Sequence, residues 1–238
     1  MTDRLLYVAA TEGTTLDTTA AQNCLAAVVR RLAVEKRAEL DRQKANHSDL
    51  KRPDFLWHYL LQSFATMGRS SGLEGLINNR SNYRRVTYEA ITAIPESKRL
   101  AEIKTVCWAA KIRMPDLKAD YIHGCYAQVR DMGGPEAAKA RLLTQPGREG
   151  KIRFLKALRG IGDKYARNIM MDVYHEEFRD SIAVDVRIKA VSESLGVTFG
   201  SYAAHEAFYL SVAKLAGING WELDRILYNF QREIDSRL

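Results

Sequence analysis

The chain has 238 residues, of which 46% are hydrophobic and 27% are charged. This balance is ordinary for a folded protein and excludes a disordered chain, and the length allows one or two domains. The net charge of +7 favours a polyanionic partner without requiring one. No apolar run reaches the length of a membrane-spanning helix and the first residues lack a signal-peptide pattern, so we expect a soluble, cytoplasmic protein.

The N-terminal part of the sequence predicts a helix, a linker and a second helix. Residues 18–44 repeat leucine and valine at helical spacing on one face of an otherwise charged segment, which predicts a long amphipathic helix. Residues 46–52 are polar and basic, as in a linker, and Pro53 suits the first turn of the next helix. We therefore expect residues 1–52 to form a helical extension that packs on a core formed by residues 53–238.

Helical periodicity continues to the end of the chain, and the alternating pattern of β-strands is scarce. Gly68, Gly72 and Gly75 interrupt the pattern and predict a turn followed by a helix start. Further helices are predicted at residues 86–93, 97–110, 116–131, 135–143, 150–158, 163–174, 185–195, 201–216 and 220–237. The sequence therefore indicates an all-α protein.

The most informative segment spans residues 154–190. Two short amphipathic helices flank a Gly-Ile-Gly turn made of Gly160, Ile161 and Gly162. Glycine lets the backbone turn sharply, and the bare amides at a helix N-terminus are a ready site for a phosphate. Lys164 comes two residues after the turn, and an isolated acid, Asp185, comes later in the segment. The segment therefore predicts a phosphate-binding hairpin with one lysine facing what the hairpin holds.

The pattern L-x-G-I-G-x-K-x-A, followed by V-D-V-R-I, resembles the helix-hairpin-helix/Gly-Pro-Asp superfamily of DNA glycosylases. The similarity covers about residues 53–231 and leaves the first fifty residues unexplained. It implies two helical lobes with a DNA-binding cleft between them and the helix-hairpin-helix motif at the cleft mouth. In lysine-bearing members the hairpin lysine attacks the sugar C1′ and forms a Schiff base, and the later aspartate is the catalytic acid; these roles match Lys164 and Asp185.

The positions of the cysteines indicate whether the protein can hold a metal or an iron–sulfur cluster. Cys24, Cys107 and Cys125 are far apart and fit no metal-ligand spacing. Many relatives in the superfamily carry an iron–sulfur cluster on four cysteines near the C-terminus, whereas this chain has no cysteine after Cys125. We therefore expect no cluster, no metal and no other cofactor.

Lys164 and Asp185 each have a plainer interpretation. A lysine after two glycines can simply bind a phosphate, whereas a nucleophilic lysine must be unprotonated to attack C1′. An aspartate at the start of a helix can simply be its N-cap, which stabilises the helix by about 1 kcal/mol. A capping carboxylate is also oriented by the backbone amides, so Asp185 can be both a cap and the group that stabilises the cationic sugar.

The resemblance also suggests how the DNA is held. An enzyme that acts on a base must extrude it from the duplex and fill the gap. Phe64 lies where relatives place the gap-filling residue, and Gln62 could serve instead, although Phe64 also has the spacing of a core aromatic. The residues expected to contact DNA are Gly160, Ile161, Gly162, Arg159, Arg69, Gln62 and Phe64. The candidates for stacking on the extruded base are Trp57, Tyr165 and Trp221, any of which could instead belong to the core.

These features predict a monomeric DNA glycosylase that acts on a damaged or modified base in double-stranded DNA through a lysine Schiff base, with AP-lyase activity. Three alternatives stay open. One is a monofunctional glycosylase that uses water, including one acting on modified phage bases. Another is a non-catalytic DNA-binding module that keeps only the hairpin. The third is an unrelated helical protein whose hairpin binds another protein, which strong salt-dependent DNA binding would exclude. The sequence does not identify the base; oxidised bases are the default that the resemblance implies.

Overall fold

The computed structural model describes residues 18–68 and 71–238. These residues form helices joined by short turns, and no strand occurs among them, so the predicted all-α fold is confirmed. The helices are α1 (Thr18–Glu35), α2 (Arg37–Lys44), α3 (Phe55–Thr66), α4 (Arg80–Arg85), α5 (Tyr88–Ala93), α6 (Glu96–Ala109), α7 (Pro115–Asp131), α8 (Pro135–Leu143), α9 (Gly147–Lys156), α10 (Asp163–Met171), α11 (Val186–Ser194), α12 (Tyr202–Ala216), α13 (Gly220–Asn229) and α14 (Gln231–Asp235).

Three predicted elements differ most from the structure, and α4 has no counterpart among the predicted helices. The long helix predicted at 18–44 is broken at Lys36, whose φ of −104° and ψ of 15° lie outside the helical region. The linker predicted at 46–52 is instead a 3-10 helix, Ala45–Lys51. The last predicted helix is divided at Phe230, which separates α13 from α14.

The helices pack in two groups. In the first, α6 packs against α7, and α3 packs on α7 and α8. In the second, α1 packs on α12 and α13, and α11 packs on α13 and α14. Helix α10 contacts α3 of the first group, and its Arg167 pairs with Glu206 of α12 in the second group, so it stands where the two groups meet. Residues from both groups line the cleft described below.

The first helix belongs to the second group although it comes first in the chain. Leu25, Val29 and Leu32 of α1 are completely buried, which explains the apolar period of its sequence. Arg30 donates a hydrogen bond to the carbonyl of Leu215 at the end of α12. Within the described ranges, no helix is both long and apolar enough to cross a membrane.

Candidate active site

The hairpin joins α9 to α10 through a turn that requires glycine at one position. Gly160 has a φ of +82°, and a Cβ added there would lie 2.5 Å from the ring of Tyr121. The left-handed conformation and the close ring both favour glycine. The Ile161 N–H donates to the carbonyl of Leu158, so it is already used within the turn. The open amides of α10 therefore begin at Gly162, beside which a Cβ would meet nothing within 4 Å.

The structure brings Lys164 and Asp185 together. Lys164 lies in the first turn of α10, and its Nζ is 3.2 Å from Oδ2 of Asp185. Asp185 is the N-cap of α11, and its Oδ1 accepts hydrogen bonds from the N–H groups of Arg187 at 2.9 Å and Ile188 at 3.1 Å. One carboxylate oxygen is thus fixed by the helix, which aims the other at the amine. The carboxylate is mostly buried, and the lysine side chain keeps 28% of its exposure.

This pair lies in an open cleft of 470 Å³. The end of α3 forms one wall, and α10, α11 and α13 form the other. The lining residues are Thr66, Met67, Gly68, Leu73, Lys164, Tyr165, Val184, Asp185, Val186, Arg187, Lys189 and Tyr228. Lys164 also lies over the ring of Tyr165, with Nζ 4.9 Å from the centroid.

A smaller chamber of 180 Å³ adjoins the cleft and shares Thr66, Leu73, Lys164, Tyr165 and Tyr228 with it. The rest of the chamber lining is mostly polar and comprises Gln62, Asn168, Asp172, Ala183, Asp224 and Arg225. A space of this volume and lining beside Lys164 can receive the ring of a base and contact it with hydrogen-bonding groups.

Asp172 is the centre of the chamber's polar network. Its Oδ1 accepts from Arg225 at 2.8 Å and its Oδ2 accepts from Gln62 at 3.0 Å. Burial raises the pKa of the Asp172 carboxyl, although Arg225 and Gln62 act in the opposite direction. Burial also raises the pKa of Asp224, to about 6, and the Asp224 carboxylate accepts from the Ala183 N–H at 2.7 Å.

Neither of the two gap-filling candidates on α3, Phe64 and Gln62, has an exposed side chain. Phe64 is completely buried, with its ring centroid 5.8 Å from that of Tyr121, so it belongs to the core. Gln62 lies inside the chamber and is engaged with Asp172. Arg159 is exposed beside the hairpin, and Arg69 lies outside the described residues.

The three aromatic candidates are placed differently. Trp57 is buried in the core and its Nε1 donates to the carbonyl of Val86. Trp221 is equally buried and its Nε1 donates to the carbonyl of Met171. Tyr165 lines both the cleft and the chamber. Sequence reasoning missed Tyr228, which is 37% exposed and lines both spaces; its helical spacing from Asp224 and Arg225 was the available signal.

Comparison with solved structures identifies the fold. No family model matches the chain, and no curated protein matches it. Among solved structures, the crystal structure of the 8-oxoguanine DNA glycosylase of Thermotoga maritima superposes with a TM-score of 0.65. The match covers 87% of this chain and 95% of that one, at 16% sequence identity. This chain has a DNA glycosylase fold. At such low identity the likeness extends to the fold alone.

Proposed function

We propose that this protein is a DNA glycosylase that uses Lys164 as its nucleophile. The observation that carries the proposal is the 3.2 Å contact between the Lys164 Nζ and a carboxylate oxygen of Asp185 inside an open cleft. A lysine that served only to bind phosphate would need no buried carboxylate beside it, and such a carboxylate would repel the phosphate. The fold shared with a solved DNA glycosylase supports the same conclusion.

In the first step the Lys164 ammonium gives a proton to Asp185, which frees the amine lone pair to attack the sugar C1′. The C1′–N bond of the nucleotide breaks and its electron pair leaves with the base, which takes up the proton that Asp185 received from Lys164. The sugar is cationic as the base departs, and the Asp185 carboxylate that this transfer restores stabilises that charge. Because two backbone amides already fix Asp185, little reorganisation is needed at this step.

The N,O-acetal formed at C1′ then opens: the C1′–O4′ bond breaks, the lysine nitrogen gives one proton to O4′, and its lone pair forms the C1′=N bond of a protonated Schiff base. Loss of a proton from C2′ sends its electron pair to form the C2′–C3′ double bond, and the C3′–O bond breaks with release of the 3′ phosphate. Hydrolysis of the Schiff base returns the lysine. This sequence gives the AP-lyase activity that we propose beside base excision, and it uses no metal or cofactor.

We propose that the hairpin holds the DNA strand that contains the target base. The first amides of α10, from Gly162 onward, bind a backbone phosphate, and Arg159 and Arg69 neutralise further phosphates. Such contacts set position but read no sequence. The extruded base enters the chamber next to Tyr165 and Tyr228, where an aromatic ring offers a stacking face. The partner is double-stranded DNA with a damaged or modified base, bound by a monomer.

Covalent trapping with borohydride tests the lysine chemistry. A duplex with an abasic site and a panel of duplexes with oxidised, alkylated or otherwise modified bases are incubated with the protein and reduced. We expect a cross-linked species that disappears in Lys164→Ala. Lys189→Ala is a matched control, because Lys189 lines the same cleft on α11 and is not expected to react.

The two alternatives that bind DNA give different results in this experiment. Base release that persists in Lys164→Ala without any cross-link would indicate a water-using glycosylase. Tight binding to distorted DNA with no cross-link and no release of any base would indicate a non-catalytic module. Either outcome contradicts the proposed role of Lys164.

A further inference from the structure

A third space adjoins the chamber on the side away from Lys164, which lines the chamber but not this space. This groove has a volume of 410 Å³ and is lined by Gln43, Asp49, Tyr59, Gln62, Asp172, Trp221, Arg225, Tyr228 and Asn229. It shares Gln62, Asp172, Arg225 and Tyr228 with the chamber. The cluster of Gln62, Asp172 and Arg225 therefore has the chamber on one side and the groove on the other.

The outer wall of the groove comes from the part of the chain that the family resemblance does not cover. Gln43 belongs to α2, and Asp49 belongs to the 3-10 helix that follows it. Asp49 is fixed in place because its Oδ2 accepts a hydrogen bond from the Tyr59 hydroxyl at 2.9 Å. The N-terminal segment thus adds polar groups beside the site at which the base is proposed to enter.

The charge of the groove argues against a phosphate as its occupant. Asp49 and Asp172 are both acidic, and the one guanidinium in the lining, Arg225, is already paired with Asp172 at 2.8 Å. This acidic end contrasts with the net charge of +7 of the whole chain. A DNA backbone phosphate would be repelled here, and so would an anionic substituent on a base.

The lining suits a neutral group with many hydroxyls. Gln43 and Asn229 can donate and accept hydrogen bonds, and Asp49 and the Tyr59 hydroxyl, whose hydrogen is directed at Asp49, can accept them. Tyr228 is partly exposed and offers a ring face, so the groove combines hydrogen-bonding groups with an aromatic surface. The chamber alone is smaller than the roughly 300 to 1,000 Å³ of typical small-molecule sites, whereas the chamber and groove together fall within that range.

We infer that the substrate is a nucleobase that carries a bulky, neutral, hydroxyl-rich substituent of about the size of a sugar. The inference rests on the proposed glycosylase function. The ring of the base occupies the chamber beside Lys164, and the substituent extends past Gln62 and Asp172 into the groove. The N-terminal segment, through Gln43 and Asp49, then selects the modified base over its unmodified parent.

Single-turnover base release from matched duplexes tests this inference. The duplexes carry 5-hydroxymethylcytosine, the glucosylated form of that base, 7-hydroxymethyl-7-deazaguanine, its glucosylated form, 8-oxoguanine, or an abasic site. We expect one of the two glucosylated bases to be released at least tenfold faster than its parent and faster than 8-oxoguanine. Faster release of a parent base or of 8-oxoguanine would overturn the inference.

The abasic duplex separates this inference from the proposed function. If the abasic site is trapped by borohydride but neither glucosylated base is released, the inference fails and the lysine chemistry stands. If neither trapping nor release of any base occurs, the proposed function fails as well.

Variants of the groove give a second readout. In Gln43→Ala combined with Asn229→Ala, the ratio of glucosylated-base release to abasic trapping should fall at least tenfold, because hydrogen bonds to the substituent are lost. Asn23→Ala removes an exposed polar side chain on α1 and should leave that ratio unchanged. An unchanged ratio in the double variant would overturn the role of the groove.

Discussion

Replacing Gly160 by alanine tests whether the hairpin turn depends on the absence of a side chain. An alanine at a φ of +82° is strained by about 1–2 kcal/mol. Its Cβ would also lie 2.5 Å from the ring of Tyr121, and crowding of this kind in a packed site costs about 1–3 kcal/mol. We therefore expect Gly160→Ala to lower the free energy of unfolding by about 2–5 kcal/mol, measured by urea unfolding monitored by circular dichroism.

Gly162→Ala is the matched control, because it adds the same methyl group two residues away. Gly162 has a φ of −105° and has nothing within 4 Å of the added Cβ, so we expect the free energy of unfolding to change by less than about 1 kcal/mol. The new methyl group would instead stand beside the open amides of α10 and weaken DNA binding, measured by fluorescence anisotropy at fixed salt. Equal loss of stability in the two variants would refute the proposed geometry of the turn.

Three further predictions concern single side chains. Asp185→Asn should retain the fold, because asparagine is also a good N-cap, yet lower the rate of base release at least about 100-fold; release at the wild-type rate would exclude a catalytic carboxylate. Burial raises the pKa of Asp224 from 3.8 to about 6. Between these two pH values the folded protein keeps a proton on Asp224 that the unfolded chain has lost, so the free energy of unfolding falls as the pH rises. Asp224→Asn should therefore stabilise the protein by up to about 3 kcal/mol at pH 8 and by little below pH 4, and urea unfolding that shows no gain at pH 8 would contradict this. Phe64→Ala should cost about 3–5 kcal/mol of unfolding free energy while the folded protein keeps its affinity for DNA; a large loss of affinity without loss of stability would restore its gap-filling role.

The sequence predicted much of the helical architecture because local signals coincide with the helix ends. Residues 135–143 begin with a proline and form α8 with the predicted bounds. The hairpin was predictable for the same reason, since two glycines between amphipathic helices leave few alternatives. By contrast, the break at Lys36 involves no glycine or proline. Lys36 and Arg37 form ion pairs there with Glu233 of α14 and Glu222 of α13, contacts that no local pattern indicates.

The detailed lining of the site was harder to predict. Helix α3 is buried at nine of its twelve positions, so its sequence does not distinguish a core face, where Phe64 lies, from the face that Gln62 presents to the chamber. Tyr228 belongs to a helix that was predicted, but its exposure in the cleft depends on long-range packing. The chamber network joins α3, α10 and α13, and no local pattern connects these segments.

The position of α1 has a consequence for how the chain folds. The apolar face of α1 is covered by α12 and α13, and the bond from Arg30 to Leu215 spans 185 positions along the chain. During synthesis this face emerges early, while the helices that cover it are made late, so it stays exposed to solvent for most of translation. Closing such a long loop also makes this contact slow to form relative to local helix pairs. The first helix can therefore complete its packing only after α12 and α13 have been made.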